Sequence, residues 1–441
     1  MLSSARVKTI TKLAFPITIA LSSSMVMALI DLAMVGKLGS ASVAAVGLAS
    51  FSSTLIFAFM FGLAPAVQGY VARRRGEGSE EPRCVSLNAA LLVALLVGVP
   101  LTIICHLFAP FFFSLISSDP EVTRIGVPFL STMYLGIVAV GINSAFRGFW
   151  SGMEKPLVYM YIVIFMDCLN ILLNYIFIYG NFGAPALGAT GAAIGTVSAM
   201  FAGALINLTL GFLRFRKEAI FDFKPAMALV SRIFQLGLPA TMQEFFYSAG
   251  YIVFFWMIGL VGTVELAAAN VLVRLTMILV LLAMSLGSAS ATLVSKSVGE
   301  GDLAGAAQWG WDSGKLGVIG ITLLGLPLLL FPEWFLTIFL TDAKTIATGI
   351  VPLQMVAATT GLGSLIYIFA YTLFSVGDGN RVMLVSFTTQ WFIFLPAVWF
   401  VGPHLNYGLM EIWLVQMVYG FFATALITAL WVDGRWKKIK I

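Results

Sequence analysis

The chain predicts an all-α polytopic membrane protein, with twelve transmembrane helices in two six-helix lobes related by an internal repeat. Three observations carry that expectation. Hydrophobic residues make up 60% of the 441 and charged residues only 10%, against roughly 25% charged in a soluble domain. Apolar runs long enough to cross a bilayer recur along the whole length. Short signatures also return at a constant spacing, so that one half reads as a copy of the other.

Taken in order, the first half predicts spans near 10–36, 42–70, 87–117, 121–150, 157–180 and 187–213. The second predicts 234–260, 266–295, 310–340, 346–376, 382–403 and 408–431. Turn-forming stretches separate them: GKLGS, SSDP, GMEKP, GNFGAP, TDAKT and GDGN. The first run is too long, and followed by too many others, to be a cleaved signal peptide. This divides the chain into an N-terminal lobe 1–213, a cytoplasmic linker 214–233 and a C-terminal lobe 234–441. The linker, RFRKEAIFDFKPAMALVSRI, mixes basic residues with Ile220, Phe221 and Phe223, as an interfacial amphipathic piece would.

With the N-terminus inside, the 25 lysines and arginines sort to one side of the membrane. They sit in Arg6–Lys12, Arg73–Arg83, Arg147–Lys155, Arg214–Arg232, Lys296–Lys315, Arg381 and Arg435–Lys440. Only Lys37, Arg124 and Lys344 lie outside, and Arg274 lies within a span. The bias places both termini in the cytoplasm. It also accounts for the net charge of +5 as topology and lipid contact, with no nucleic-acid partner. Cys84, Cys105 and Cys168 have no metal or CxxC spacing, and His106 and His404 are isolated. Metal, thiol and serine-triad catalysis therefore have little material, and no enzyme activity is expected.

The repeat is explicit. LAFP (13–16), GKLG (36–39) and RGEG (75–78) match LGLP (236–239), GLVG (259–262) and VGEG (298–301), all offset by 223 residues. WSGMEKP (150–156) matches SVGDGNR (375–381) at 225. Parallel repeats of this kind place substrate and coupling-ion sites near mid-membrane. The repeat also serves as a control, because the position equivalent to Asp31 is Phe254. Fold maintenance alone does not demand the acid.

Asp31 stands alone in the apolar run Ile10–Gly36, and an isolated acid in a span marks a functional site by default. Asp167, Asn170 and Asn174 fall at i, i+3 and i+7 of the fifth span, within roughly 60° of one face. In lipid that stripe must face protein or water. Asn174 lies about 9 Å below Gly180 and Asp31 about 7.5 Å below Gly36, at matched depth. Asn170 and Asn174 read as cavity residues or as glue between helices. Asp167 reads as a second proton site or a fixed partner for a neighbouring Tyr or Ser. Met27 and Met34 share a face with Asp31 and offer a soft lining. The second half adds Gln243 and Glu244 as cavity or coupling candidates. It also adds Arg274, read as structural, bonding helix-end carbonyls or a carboxylate; Gln354, Gln390 and Gln416 are weaker.

Together, LAFPITIALSSSMVMALIDLAMVGKLG, CLNILLNYIFIYGNFGAPALGATGAAIGT (168–196) and LGLPATMQE (236–244) resemble the multidrug and toxic compound extrusion (MATE) family over essentially the whole chain. The resemblance implies a secondary exporter of lipophilic or cationic compounds that works by cation antiport, as a monomer without a cofactor. It implies a bacterial cytoplasmic (inner) membrane setting. Asp31 then matches the first-helix aspartate that the family protonates, and Pro16 the proline near which that helix bends. Asn170 matches a cavity asparagine. Asn174 stands where some members have a second aspartate. The NorM-like, sodium-coupled branch carries acids at what are Tyr247 and Gly363 here, which favours the DinF-like, proton-coupled branch. Sodium coupling, and a lipid-linked oligosaccharide flippase of the same superfamily, are the alternatives; the latter calls for cationic cavities, whereas Arg274 is the clear mid-span cation here.

Overall fold

The computed structural model describes residues 3–78, 84–216 and 220–439. Parts of the basic segments 73–83, 214–232 and 435–440 lie outside the described residues. With no water in a bilayer core, backbone groups must bond within their own segment, and the chain answers with helix throughout. No strand occurs among the described residues.

Among the described residues, eleven helices are long and apolar enough to cross a membrane, and one bent helix pair passes the same test together. They are α1 Ser4–Gly36, α2 Ser40–Gly76 and α3 Val85–Leu107, then α4, made of Pro120–Tyr134 and Ile137–Gly152 bent by 46°. Next come α5 Pro156–Tyr179, α6 Ala189–Phe215, α7 Phe223–Val261 and α8 Thr263–Gly299. The last four are α9 Leu303–Leu330, α10 Ala343–Ser375, α11 Gly379–His404 and α12 Leu409–Asp433. These eleven helices and the bent pair fall on the twelve expected spans. Two expected spans prove shorter: 87–117 and 310–340 end at Leu107 and Leu330, each followed by a six-residue helix that begins with a proline at its first or second position. A proline there has no amide hydrogen to continue the previous helix. The seventh span is longer than expected. It begins at Phe223, so the second half of the 214–233 linker is regular helix.

Local chemistry sets the helix ends. Asp119 Oδ1 accepts from the amides of Glu121 (2.8 Å) and Val122 (3.1 Å) at the start of α4. Asp302 does the same for Gly305 at α9 (2.8 Å), and Asp342 for Thr345 at α10 (2.9 Å). Each satisfies donors that the first helical turn leaves open. Gly180, at φ 76°, stops α5 in a left-handed conformation that a side chain would resist.

The chain forms two compact units, Met1–Thr18 with Met242–Ile441, and Ile19–Thr241. These units differ from the lobes read in chain order. The first turns of α1 belong with the second half, and the first part of α7 belongs with the first half. The crossing points, Thr18 and Thr241, are repeat equivalents at the 223 offset, each two residues past a proline inside its helix, Pro16 and Pro239. Within the first unit, Arg6 Nη1 bonds Asp312 Oδ2 at 3.0 Å and lies over the Trp309 ring at 4.4 Å, fastening the start of α1 to α9. Phe254, the counterpart of Asp31, is a buried ring packed on Phe394 (5.2 Å) and Trp413 (5.8 Å). Within the second unit, Phe146, Phe149, Trp150 and Phe215 make an aromatic core. There α2 and α7 touch at Gly62, where a Cβ would overlap the Gly237 carbonyl oxygen.

Candidate functional site

The Ile19–Thr241 unit gathers its polar side chains where α1, α5 and α6 meet. Asn170 and Asn174 are one turn apart on α5, so both face α1 and α6, and both are buried. Asn174 Nδ2 donates to Asp31 Oδ1 at 2.5 Å and to Asn170 Oδ1 at 3.1 Å. Thr196, on α6, completes the cluster 3.0 Å from the Asn170 amide, and its hydroxyl donates to the Ala192 carbonyl at 2.9 Å. Asp31 itself is half-buried. The expected meeting of Asp31, Asn170 and Asn174 is therefore present.

The end of the Asn170 amide that faces Asp31 lies 3.0 Å from its Oδ1, so an amide nitrogen there donates to the carboxylate.

One glycine makes room for the cluster. A Cβ on Gly195 would overlap Asn174 Oδ1 and come within 3.3 Å of its Cγ. Toward the C-terminal ends of both helices, the Tyr179 hydroxyl donates to the Met34 carbonyl at 2.8 Å and ties α1 to α5. About a turn deeper on α5, Asp167 accepts from the Ser23 hydroxyl of α1 at 2.5 Å. This is the fixed serine partner expected as one of its two roles. Met27 is only 6% exposed, and Met34 packs against the buried core. Ser23, Thr196 and Gly195 were not singled out by the sequence reading, although GAAIGT carries the last two.

The remaining candidates belong to the other unit. Gln243 and Glu244 open the face of α7 that continues through Tyr247 and Tyr251, whose rings are 4.8 Å apart. The Tyr247 hydroxyl is 3.4 Å from that of Tyr367. Gln243 Oε1 is buried without a hydrogen bond. Arg274, expected to bond a carboxylate or helix-end carbonyls, has neither among the described residues and is exposed. No group of three His, Cys, Asp or Glu residues that could hold a metal ion occurs among the described residues.

Eleven to twelve apolar spans among the described residues, a sequence repeat and an acid–amide cluster between spans are the marks of a polytopic membrane transporter. The MatE family model matches residues 16–176 and 239–400, so the chain belongs to the MatE family, whose members are transporters and not enzymes. A probable multidrug resistance protein NorM of Rhizobium meliloti is 27% identical over 409 residues, covering 90% of this chain and 86% of that one. A multidrug resistance protein NorM of Photobacterium profundum is 25% identical over 444 residues, covering 97% and 96%. An outward-facing multidrug resistance MATE family transporter of the MOP superfamily superposes with a TM-score of 0.88 at 19% identity, covering 97% of this chain and 96% of that one. That likeness concerns the fold.

Proposed function

We propose that the protein is a multidrug exporter that moves lipophilic, often cationic compounds outward in exchange for protons, with Asp31 as the proton-coupling carboxylate. The observation that carries this reading is Asp31 held by the buried Asn174 amide at 2.5 Å, in the polar cluster where α1, α5 and α6 meet. Ionised, Asp31 takes amide donors from Asn174 and Asn170 and presents negative charge to a cationic or polar substrate. Protonated, it no longer attracts the cation. Moving a two-state balance a hundredfold takes about 2.7 kcal/mol, within reach of one charge-assisted hydrogen bond exchanged along with a buried charge.

Helix α1 carries this change along the membrane. Pro16 removes one backbone hydrogen bond from its interior, and the two compact units part company at Thr18. Bending there would reshape the Asp31 cluster without unfolding the helix. The exporter name comes from the NorM relatives; proton coupling, and with it the DinF-like reading, rests on Tyr247 and Gly363 where the sodium-coupled branch has acids. Asp167 is the second residue of the proton path. Both termini face the cytoplasm by the charge bias of the loops, in a bacterial cytoplasmic membrane, and the working unit is the monomer.

The test is drug tolerance in cells that depend on this protein. Asp31→Asn should abolish tolerance while the protein stays at wild-type level in the membrane. Wild-type tolerance from that variant would refute the role of Asp31.

A further inference from the structure

Arg274 is a charge in the apolar part of α8 with no ion pair or hydrogen bond among the described residues. It lies eleven residues from Thr263, so about 16 Å along the helix, or roughly half the thickness of a hydrocarbon core. A cation at that depth faces a bundle interior or water. The exposed stripe of α8 has a composition of its own. Thr263, Ala267, Asn270, Arg274 and Ile278 recur at helical spacing, and four of the five are small or polar. The neighbouring α9 instead exposes Ile319, Leu323, Leu324, Leu326 and Leu330, which is what acyl chains call for. The exposed stripe of α8 is therefore the more polar of the two, with Thr263, Asn270 and Arg274 on it. Asn270, one turn from Arg274, has its Nδ2 donating to the Leu266 carbonyl at 2.8 Å, which fixes the amide and leaves Oδ1 as a polar edge of the same face.

The repeat sharpens the point. At the 223 offset, Arg274 corresponds to Phe51, which is 67% exposed. The fold holds the equivalent position with an apolar ring, so the arginine is not there to keep the helix in place.

We propose that Arg274 is the anchor of an anion subsite, which takes the carboxylate, sulfonate or phosphate of a transported amphiphile. A guanidinium offers paired donors in the geometry of such groups. The inference goes beyond the exporter reading, since it adds anionic and zwitterionic amphiphiles to the cationic compounds that Asp31 accounts for. It relies on that reading only for the word transported.

The test is equilibrium dialysis of the full chain in neutral detergent against a naphthalene sulfonate and its trimethylammonium analogue. Arg274→Gln should weaken sulfonate binding about tenfold or more and leave ammonium binding within about twofold. Arg274→Lys, which keeps the charge but not the fork, should fall between. Wild-type sulfonate affinity in Arg274→Gln overturns the proposal. So does equal loss of both probes from protein that still elutes as a single species. A third arm measures phospholipid retained after purification. If Arg274→Gln sheds phosphatidylglycerol but binds the sulfonate as before, the arginine holds a bilayer headgroup, and the proposal fails. No gradient enters any of these measurements, so a failure of proton coupling leaves their outcome untouched.

Discussion

Gly195→Ala is the smallest change that reaches the Asp31 cluster without touching any of its polar groups. The added methyl overlaps Asn174 Oδ1, and Asn174 is completely buried on α5. An unstrained carbon–oxygen contact is roughly 3.5 Å, so the amide oxygen must retreat by about 1 Å. The amide is rigid, and its Nδ2 holds Asp31 Oδ1 at 2.5 Å. The same retreat stretches that bond to the edge of hydrogen-bonding distance. A hydrogen bond to a charged group is worth about 1.5–3 kcal/mol, which corresponds to a loss of roughly ten- to a hundredfold in the population of the ionised, substrate-holding arrangement. The assay is proton-driven efflux of a fluorescent cation from cells or vesicles, normalised to protein in the membrane. Gly195→Ala should lower it at least about tenfold. Adding Asn174→Ala removes the overlap, so the double variant should be no worse than Asn174→Ala alone, a coupling that a general packing defect would not give. Wild-type efflux from Gly195→Ala would refute the reasoning that Asn174 positions Asp31.

Three further outcomes are expected. Thr196→Val removes the hydroxyl that partners the Asn170 amide and should cut efflux about 5- to 30-fold, the equivalent of about 1–2 kcal/mol, while Thr196→Ser should retain most of it. Arg6→Gln leaves Asp312 buried without its partner and should destabilise the protein by about 3 kcal/mol in a thermal melt in detergent, with Arg6→Gln/Asp312→Asn recovering much of the loss. Hydrogen bonds from the Thr345 side chain and then its amide hold the Asp342 carboxyl below the usual carboxylate range. A depressed folded value means that the cap stabilises the start of α10 above about pH 4 and is lost as pH falls through that lower value. Hydrogen exchange at the first turn of α10 should therefore rise in acid, and Asp342→Asn should flatten that dependence.

Hydropathy and loop charge were enough for the spans, because a bilayer leaves few alternatives to apolar helices of fixed length. The helical face arithmetic that joined Asn170 and Asn174, and the depth count that joined them to Asp31, worked because α1 and α5 are regular between Asp31 and Gly36 and between Asn174 and Gly180. Thr196 and Ser23 were not legible. Threonine and serine abound in apolar helices and usually bond their own backbone, as Thr18 and Ser24 do here. Gly195 matters through what a side chain would strike, which only the packing of α6 on α5 reveals. The exchange of helix ends at Thr18 and Thr241 left no hydropathy mark either, since α1 and α7 run unbroken across both points. Arg274 was misjudged for a related reason. A mid-span arginine suggests a buried partner, and the sequence does not say which stripe of α8 is open.

The central claim, that a proton moving on and off Asp31 drives export, is tested most directly in proteoliposomes with pH and sodium gradients imposed one at a time. The account predicts that a pH gradient alone drives transport of a lipophilic cation, that a sodium gradient at equal pH does not, and that Asp31→Asn lowers the pH-driven rate by about a hundredfold or more. Transport driven by sodium at equal pH, or an Asp31→Asn protein that still runs on the pH gradient, would contradict it.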